Sequence, residues 1–111
     1  MIFMMNAEVF RALADPTRRA VFERLAGRSQ SAPEMSVSEL RAGFAVSQPA
    51  ISQHLAVLRG AGLVAERRQG RHAFYRAAPE GLAPLVDWIA RYRAFWPGRI
   101  GKLRDLLQEM E

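Results

Sequence analysis

The stretch VSQPAISQHLAVLRGAGLVAERRQGRHAFYR, residues 46–76, constrains the fold of this chain more than any other segment. A helix is predicted to begin after Ser47, because serine is a favourable N-cap and Pro49 is tolerated in a first helical turn. Apolar residues then recur every three or four positions and must face a core, at Ile51, Leu55 and Leu58. Gly60 and Gly62 are expected to end this helix.

Two strands are predicted directly after the helix, over residues 63–68 and 72–77, around the loop Gln69-Gly70-Arg71. Glycine supplies the left-handed residue that a tight hairpin needs. The candidates for inward-facing residues are Leu63, Val64, Phe74 and Tyr75. A polar-capped helix followed by a basic hairpin predicts a winged helix-turn-helix, a mainly helical α+β fold with a small β-hairpin wing. Such a unit is typical of DNA binding.

The rest of the chain is predicted to be helical and to complete one domain, since its length suits a single modest core. The expected elements are helices over residues 6–14, 16 to 25 or 26, and 37 to about 43, with a polar loop over residues 28–35. Asp15 and Ser36 are suitable N-caps, and Glu39 completes a capping box with Ser36. The helix-turn-helix is assigned to residues 36–61 and the wing to residues 63–77.

The net charge of +5 is concentrated in one part of the chain. Residues 41–78 contain six arginines and a single acidic residue, Glu66, so this segment carries the whole excess and the flanking residues are balanced. A basic surface around one motif favours a polyanionic partner such as double-stranded DNA. The alternative is an ordinary solvated surface in an arginine-rich protein, since 15 of the 16 positive residues are arginine.

Composition and motif content argue against several classes of protein and site. The chain has no cysteine, which rules out disulfides, thiolate metal sites and thiol redox sensing. No apolar run approaches the ~18 residues of a membrane-spanning helix, and the opening MIFMMNAEVF lacks the features of a secretory signal. No paired carboxylates, nucleophile with base, or glycine-rich phosphate loop can be assembled, so an enzyme is not expected. We expect a cytoplasmic protein without a cofactor or a membrane partner.

The predicted fourth helix carries polar residues opposite its apolar face, where a recognition helix presents side chains to base edges. Gln48 lies at its N-terminal end, which reaches bases first, and can form two hydrogen bonds with an adenine edge. Ser52 lies on the same face with Gln53 beside it, and Arg59 is better placed for a phosphate. His54 adjoins an inward leucine, so it is either a DNA-contacting residue or a buried, hydrogen-bonded one. Ordinary solvation is the alternative for all of them.

Four side chains that can carry positive charge surround the predicted hairpin tip: Arg67, Arg68, Arg71 and His72. An exposed arginine near a phosphate adds salt-sensitive affinity independent of sequence, and in a narrow minor groove it can also read groove width. The alternative is an edge hairpin kept soluble by charge. Because the hairpin directly follows a candidate recognition helix, DNA contact is the favoured interpretation.

Three segments, FRALADPTRRAVFERLA, VSQPAISQHLAVLRGAGLV and RRQGRHAFYR, resemble the ArsR/SmtB family of bacterial winged-helix transcriptional repressors. The similarity is close from Val9 to Arg76 and holds in general character for the C-terminal helix. It implies a homodimer that binds an imperfect palindrome near its own promoter. The family's DNA-contacting positions correspond to Ser47, Gln48, Ser52 and Gln53 in the helix and to residues 68–72 in the wing.

Apolar residues beyond position 79 recur in steps of three and four and form a seam longer than a domain of this size needs for its own core. The resemblance implies that N- and C-terminal helices pair across a two-fold axis, so residues 1–14 and 79–110 are expected to form a dimer interface. Its candidate residues are Val9, Phe10, Leu85, Ile89, Tyr92, Trp96, Ile100 and Leu103. A helix break or kink is expected at Pro97.

The chain departs from the family in its sensor residues. Metal-sensing members often place cysteines near the helix before the recognition helix, or Asp and His across the paired C-terminal helices. In this chain the segment before the recognition helix reads SELRAG, without a cysteine, and no histidine follows His72. The carboxylates of the C-terminal part make a poor transition-metal site by themselves. Phe95, Trp96 and Tyr92 either line a pocket for an unknown small-molecule effector or belong to the dimer core. The alternative function is a winged-helix protein-interaction module that binds its partner through the seam and DNA only weakly.

Overall fold

The computed structural model describes residues 2–93, with side chains from Ala7 onward. The helices of this part are α1 (Ile2–Ala14), α2 (Pro16–Ala26), α3 (Val37–Arg41), α4 (Gln48–Gly60) and α5 (Ala83–Arg91). The strands are β1 (Met35–Ser36), β2 (Val64–Gln69) and β3 (His72–Ala77), and a 3₁₀ turn over Pro79–Leu82 leads into α5. The predicted mainly helical fold with a small β wing is confirmed.

Side-chain caps define the starts of three helices, as the sequence predicted. The Asp15 carboxylate accepts the Arg18 N–H at 2.9 Å, and the Ser47 hydroxyl accepts the Ala50 N–H at 3.3 Å. At α3 the capping box is complete, because the Ser36 hydroxyl accepts from the Glu39 N–H and the Glu39 carboxylate accepts from the Ser36 N–H. These bonds satisfy backbone donors that have no partner within the helix.

The end of α1 is fastened by arginines from the next helix. The Arg18 Nε donates to the Ala12 carbonyl at 2.7 Å, and an Arg19 guanidinium N–H donates to the Leu13 carbonyl at 3.0 Å. Both carbonyls belong to the last turn of α1, where carbonyls lack helical partners. The junction between α1 and α2 is therefore fixed by side-chain bonds as well as by the cap at Asp15.

A Schellman motif ends α4 and sets the direction in which the wing leaves it. Gly62 has a left-handed φ of 78°, its N–H donates to the Arg59 carbonyl, and the Leu63 N–H donates to the Leu58 carbonyl at 2.9 Å. Leu58 and Leu63 are both fully buried, which provides the hydrophobic contact that accompanies this motif. The wing is thus attached to the core directly after the helix.

The core lies between the helices and one face of the sheet. Its buried residues are Val9, Ala12, Val21, Phe22, Leu25, Met35, Leu40, Ile51, Leu55, Leu58, Leu63 and Val64. The three apolar residues predicted to anchor α4, Ile51, Leu55 and Leu58, are all fully buried, so this helix is held by its inner face and leaves its polar face to solvent.

The sheet is antiparallel with the strand order β1-β3-β2. Gln69 pairs with His72, so a two-residue turn, Gly70–Arg71, joins β2 to β3. Gly70 has a φ of 62°, as a type II′ hairpin turn requires at its first central residue. The hairpin is therefore tight, and its tip is formed by a glycine and an arginine.

Several details differ from the sequence-based expectations. Helix α1 begins at Ile2 rather than near residue 6, since no proline or glycine interrupts the apolar residues before Asn6. Helix α3 ends at Arg41 rather than near Gly43. Met35 was assigned to a polar loop but is buried and pairs with Tyr75, because β3 forms a short ladder with it. Phe22 of α2 is a core residue, which the sequence did not predict.

Part of the predicted C-terminal seam lies outside the described residues: Trp96, Ile100, Leu103 and the break expected at Pro97. Within residues 2–93, no helix is both long and apolar enough to cross a membrane.

Candidate DNA-binding surface

The outer face of α4 presents polar side chains at its N-terminal end. Ser47, Gln48, Ser52 and Gln53 are all exposed. Ser47 uses its hydroxyl oxygen as the N-cap, whereas no hydrogen bond from residues 2–93 engages the side chains of Gln48, Ser52 or Gln53. These donors and acceptors are therefore available to a ligand, on a helix whose position is fixed by its buried face.

His54 lies apart from that polar face. It is half-buried and close to the start of α2. There its charge contributes to lowering the pKa of the Asp15 carboxyl, after the larger effect of the Arg18 N–H bond. His54 is thus neither fully buried nor hydrogen-bonded within residues 2–93, and its contact with DNA stays a prediction.

The Arg67 side chain is bound to Glu34, which lies just before β1, and to two other residues of the wing. Its guanidinium forms a two-pronged pair with Glu34, at 2.8 Å from Nε and 2.9 Å from Nη2, and it also donates to Gln69 at 2.9 Å. It crosses the Phe74 ring at 4.8 Å from the centroid. The same pairing lowers the pKa of Glu34 and raises that of Arg67. Arg67 thus ties β2 across β3 to the residue before β1.

Arg59 and Arg68 share one carboxylate, that of Glu66. The Glu66 Oε1 is 2.8 Å from an Arg59 Nη1 and 3.5 Å from the Arg68 Nε, and the Tyr75 hydroxyl donates to Oε2 at 2.6 Å. The Tyr75 bond is the main cause of a lowered pKa at Glu66, with the charges of Arg68 and Arg59 adding to it. Burial and the bond to Glu66 raise the pKa of Tyr75. This network links the end of α4 to the wing.

Replacing Tyr75 by phenylalanine tests the acid dependence of this network. The lowered pKa means that Glu66 stabilises the fold above the ordinary carboxyl value of 4.5, and that this stability is lost as the pH falls through the lowered value. Tyr75→Phe should therefore reduce the free energy of unfolding by about 1–2 kcal/mol at neutral pH. The deficit should shrink as the pH falls below 4.5 and through the lowered pKa of Glu66, because protonation of Glu66 weakens the bond in the wild type as well. Urea unfolding over a series of pH values from neutral to acid measures it, and a deficit that stays equal or grows in acid contradicts the assignment.

The tip of the wing carries Arg71 and His72. Arg71 and His72 are exposed, and no acidic side chain of residues 2–93 pairs with Arg71. The His72 ring lies tilted against Phe74, with 6.4 Å between centroids. Of the four wing residues predicted to contact DNA, Arg71 has its full charge available, whereas Arg67 and Arg68 are partly neutralised by Glu34 and Glu66.

A second exposed surface is apolar and lies where α1 packs on α5. Trp88 contacts both Phe10 and Tyr92, with ring centroids 5.5 Å and 5.1 Å apart. Val86 and Ile89 are 60% and 56% exposed beside them. We call Phe10, Val86, Trp88, Ile89 and Tyr92 the aromatic face. An apolar patch of this kind, rimmed by polar residues, is typical of a protein–protein contact.

Two residues predicted at a dimer interface pack against the core of their own chain. Val9 is only 2% exposed and belongs to the core of its own chain, and Leu85 is half-buried against the same core. Both therefore stabilise α1 and α5 within one chain. Trp88 was missed, although it stands three residues after Leu85 and four before Tyr92, the spacing that marks one side of a helix. The ion pairs that Glu34 and Glu66 form with the arginines could not be predicted from the sequence, which shows only that the residues have opposite charges.

No group of three or more His, Asp or Glu side chains that is placed to hold a metal ion is found in residues 2–93.

Comparison with known proteins places this arrangement among bacterial regulators. Residues 13–67 match the family model described as a helix-turn-helix domain. The chain is 49% identical over 83 residues to the helix-turn-helix transcriptional regulator Rv2034 of Mycobacterium tuberculosis, covering 75% of this chain and 73% of that protein. It is 38% identical over 91 residues to the arsenical resistance operon repressor of Escherichia coli, covering 82% of this chain and 71% of the repressor.

The fold agrees with these similarities. An ArsR-like transcriptional regulator from Rhodococcus sp. RHA1 superposes with a TM-score of 0.70 at 33% identity, covering 94% of this chain and 93% of that one. The helix-turn-helix lies within the residues that match the family model. The chain belongs to the ArsR/SmtB family of winged-helix transcriptional regulators.

Proposed function

We propose that this protein is a cytoplasmic, homodimeric transcriptional repressor that binds an imperfect palindrome in a promoter and needs no metal ion. The observation that carries the proposal is that two surfaces able to bind DNA adjoin each other in this fold. The N-terminal half of α4 offers Gln48, Ser52 and Gln53, whose side chains have no hydrogen-bond partner among residues 2–93, and the adjoining hairpin offers Arg71 at its tip. The first set can read base edges and the second can bind a phosphate.

The aromatic face supplies the argument for the dimer. It exposes aliphatic and aromatic side chains on α1 and α5. A second copy that covers this face would present two α4 helices to one side of the duplex. Recognition helices related in this way enter successive major grooves about 34–36 Å apart, so half-site centres should lie about 10–10.5 bp apart.

The same face supports the second candidate, a module that binds a different protein there and DNA only weakly. The two functions differ in how strongly the protein prefers one DNA sequence over another. A repressor prefers its site over scrambled DNA by about 10³-fold or more, and a module of the second kind shows no such preference.

A matched pair of substitutions tests which residues read sequence and which bind the backbone. Gln48→Ala should cost about 1–3 kcal/mol on the best site and relax the preference at one base-pair position. Arg71→Ala should weaken binding to all sequences alike. It should also reduce the salt slope, the steepness with which log affinity falls with log salt concentration, by about 0.9 per protomer or about 1.8 for the dimer. Fluorescence anisotropy titrations on a selected duplex and its single-base variants measure both effects.

Each of these variants serves as the control for the other, because both side chains are exposed and neither contributes to the core. Equal unfolding midpoints in urea will show that the fold is intact. If Arg71→Ala changes base preference, or if Gln48→Ala weakens every duplex equally, the assigned roles are wrong.

A further inference from the structure

Glu66 is the only acidic residue between positions 41 and 78, and it stands in the middle of the surface proposed to meet DNA. Its side chain is only 14% exposed. Both carboxylate oxygens are engaged, Oε1 by Arg59 and Arg68 and Oε2 by Tyr75. A carboxylate beside a phosphate backbone weakens binding. An acidic residue on this surface must therefore have a role other than keeping the protein soluble.

The contacts show what the carboxylate does to the charge of this surface. Arg59 belongs to the last turn of α4, and Arg68 to the outer half of β2. With Glu66 between them, the three side chains carry one net positive charge instead of two. Both guanidinium groups are also more than half exposed, so their remaining donors can still reach a ligand while the carboxylate fixes their positions.

Fixing an arginine affects specific and non-specific complexes differently. At the correct site a pre-positioned guanidinium meets its phosphate without losing further side-chain entropy. On arbitrary DNA the backbone lies in other registers, and only a mobile arginine can follow it. Non-specific affinity comes almost entirely from such mobile charge contacts with phosphates.

We propose that Glu66 is a specificity-determining residue, which holds Arg59 and Arg68 in place between helix and wing and withholds part of their charge from DNA of arbitrary sequence. Tyr75 is the positioning residue of this arrangement, because its hydroxyl fixes the second carboxylate oxygen at 2.6 Å. The inference rests on the proposed function, since it concerns the preference of a DNA-binding surface for its own site.

The substitution Glu66→Gln tests the inference, because it keeps the shape and removes the charge. On a scrambled duplex it should steepen the salt slope by about 0.9 per protomer, or about 1.8 for the dimer. Affinity at ~0.1 M salt should rise by about five- to tenfold for each protomer, the effect of one added phosphate contact in each. Affinity for the selected site should rise less, so the preference for that site should fall about threefold or more.

The matched control is Glu23→Gln. Glu23 is exposed on α2 and its side chain has no partner among residues 2–93, so this variant raises the net charge by the same amount away from the wing. It should leave the preference unchanged. If Glu66→Gln and Glu23→Gln shift the scrambled-duplex affinity equally, the effect belongs to net charge and the inference is overturned.

A second variant keeps the test valid should Glu66→Gln unfold the wing. Arg68→Ala should flatten the salt slope on scrambled DNA clearly less than Arg71→Ala does, because Glu66 already neutralises part of the Arg68 charge. Equal flattening overturns the inference.

If the wild type shows no preference for any selected site, the proposed function fails and the inference with it. A wild-type preference that survives Glu66→Gln unchanged removes the inference alone.

Discussion

Ile89→Asp should leave each chain folded and reduce affinity for a selected palindromic site by about 10²–10⁴-fold, the gain that a linked second binding event ordinarily provides. Ile89 is 56% exposed on α5 and makes no part of the core, so a carboxylate there costs little in the single chain. In a dimer it would be buried between two copies of the aromatic face, where an unpaired charge is strongly unfavourable. Sedimentation equilibrium measures the assembly state and fluorescence anisotropy the affinity.

The control for this substitution is Ala83→Asp on the same helix. Ala83 is exposed at the first position of α5, one turn before Asp87, where a carboxylate also suits the helix dipole. This variant should dimerise and bind as the wild type does. An Ile89→Asp protein that still dimerises and binds its site tightly would show that the aromatic face is not the interface. A monomeric Ala83→Asp would show that any added charge on α5 prevents dimerisation, which also contradicts the assignment to the aromatic face.

Gly81→Ala should destabilise the fold by about 2–3 kcal/mol, the upper part of the range for overpacked sites. A Cβ at Gly81 would collide with the Gly62 carbonyl and stand 3.2 Å from the Leu63 nitrogen. Neither neighbour can move easily, because Gly62 and Leu63 form the Schellman motif that ends α4. The chain must therefore shift where the 3₁₀ turn meets the start of the wing. Urea unfolding followed by far-UV circular dichroism measures the change.

Gly60→Ala is the matched control and should change stability in the opposite direction. Gly60 is the last residue of α4, its φ is not positive, and no heavy atom would meet its Cβ within 4 Å. Alanine there should stabilise by about 0.4–1 kcal/mol, because it restricts the unfolded chain. If both variants destabilise equally, the close approach of Gly81 to Gly62 does not exist in solution.

The elements that sequence predicted well depend on local rules. The α4 helix is specified by a serine cap, a proline in the first turn, three apolar residues on one face and a terminal glycine, and all act within a few residues of one another. The hairpin is specified in the same way by Gly70 between two apolar-containing strands. For that reason the winged helix-turn-helix and the positions of its exposed polar residues were predictable.

The features that sequence missed depend on residues distant along the chain. Met35 lies in a strand only because Tyr75 pairs with it, and Glu34 binds Arg67, which is 33 positions away in the chain. Gly81 is required because a Cβ there would collide with the carbonyl of Gly62, which lies 19 positions earlier in the chain. Charge counting treated the wing arginines as equivalent, and only the tertiary structure distinguishes Arg71 from those paired with Glu34 and Glu66.

The central claim is that the polar face of α4 and the wing together recognise a particular DNA sequence. The most direct test selects bound duplexes from a random pool with the wild-type protein, then compares Kd for the selected and scrambled duplexes at about 50 and 200 mM salt. A repressor should prefer the selected site by about 10³-fold or more at the higher salt and should yield a two-fold repeat with half-sites about one helical turn apart. Equal affinity for both duplexes at each salt concentration would contradict the account.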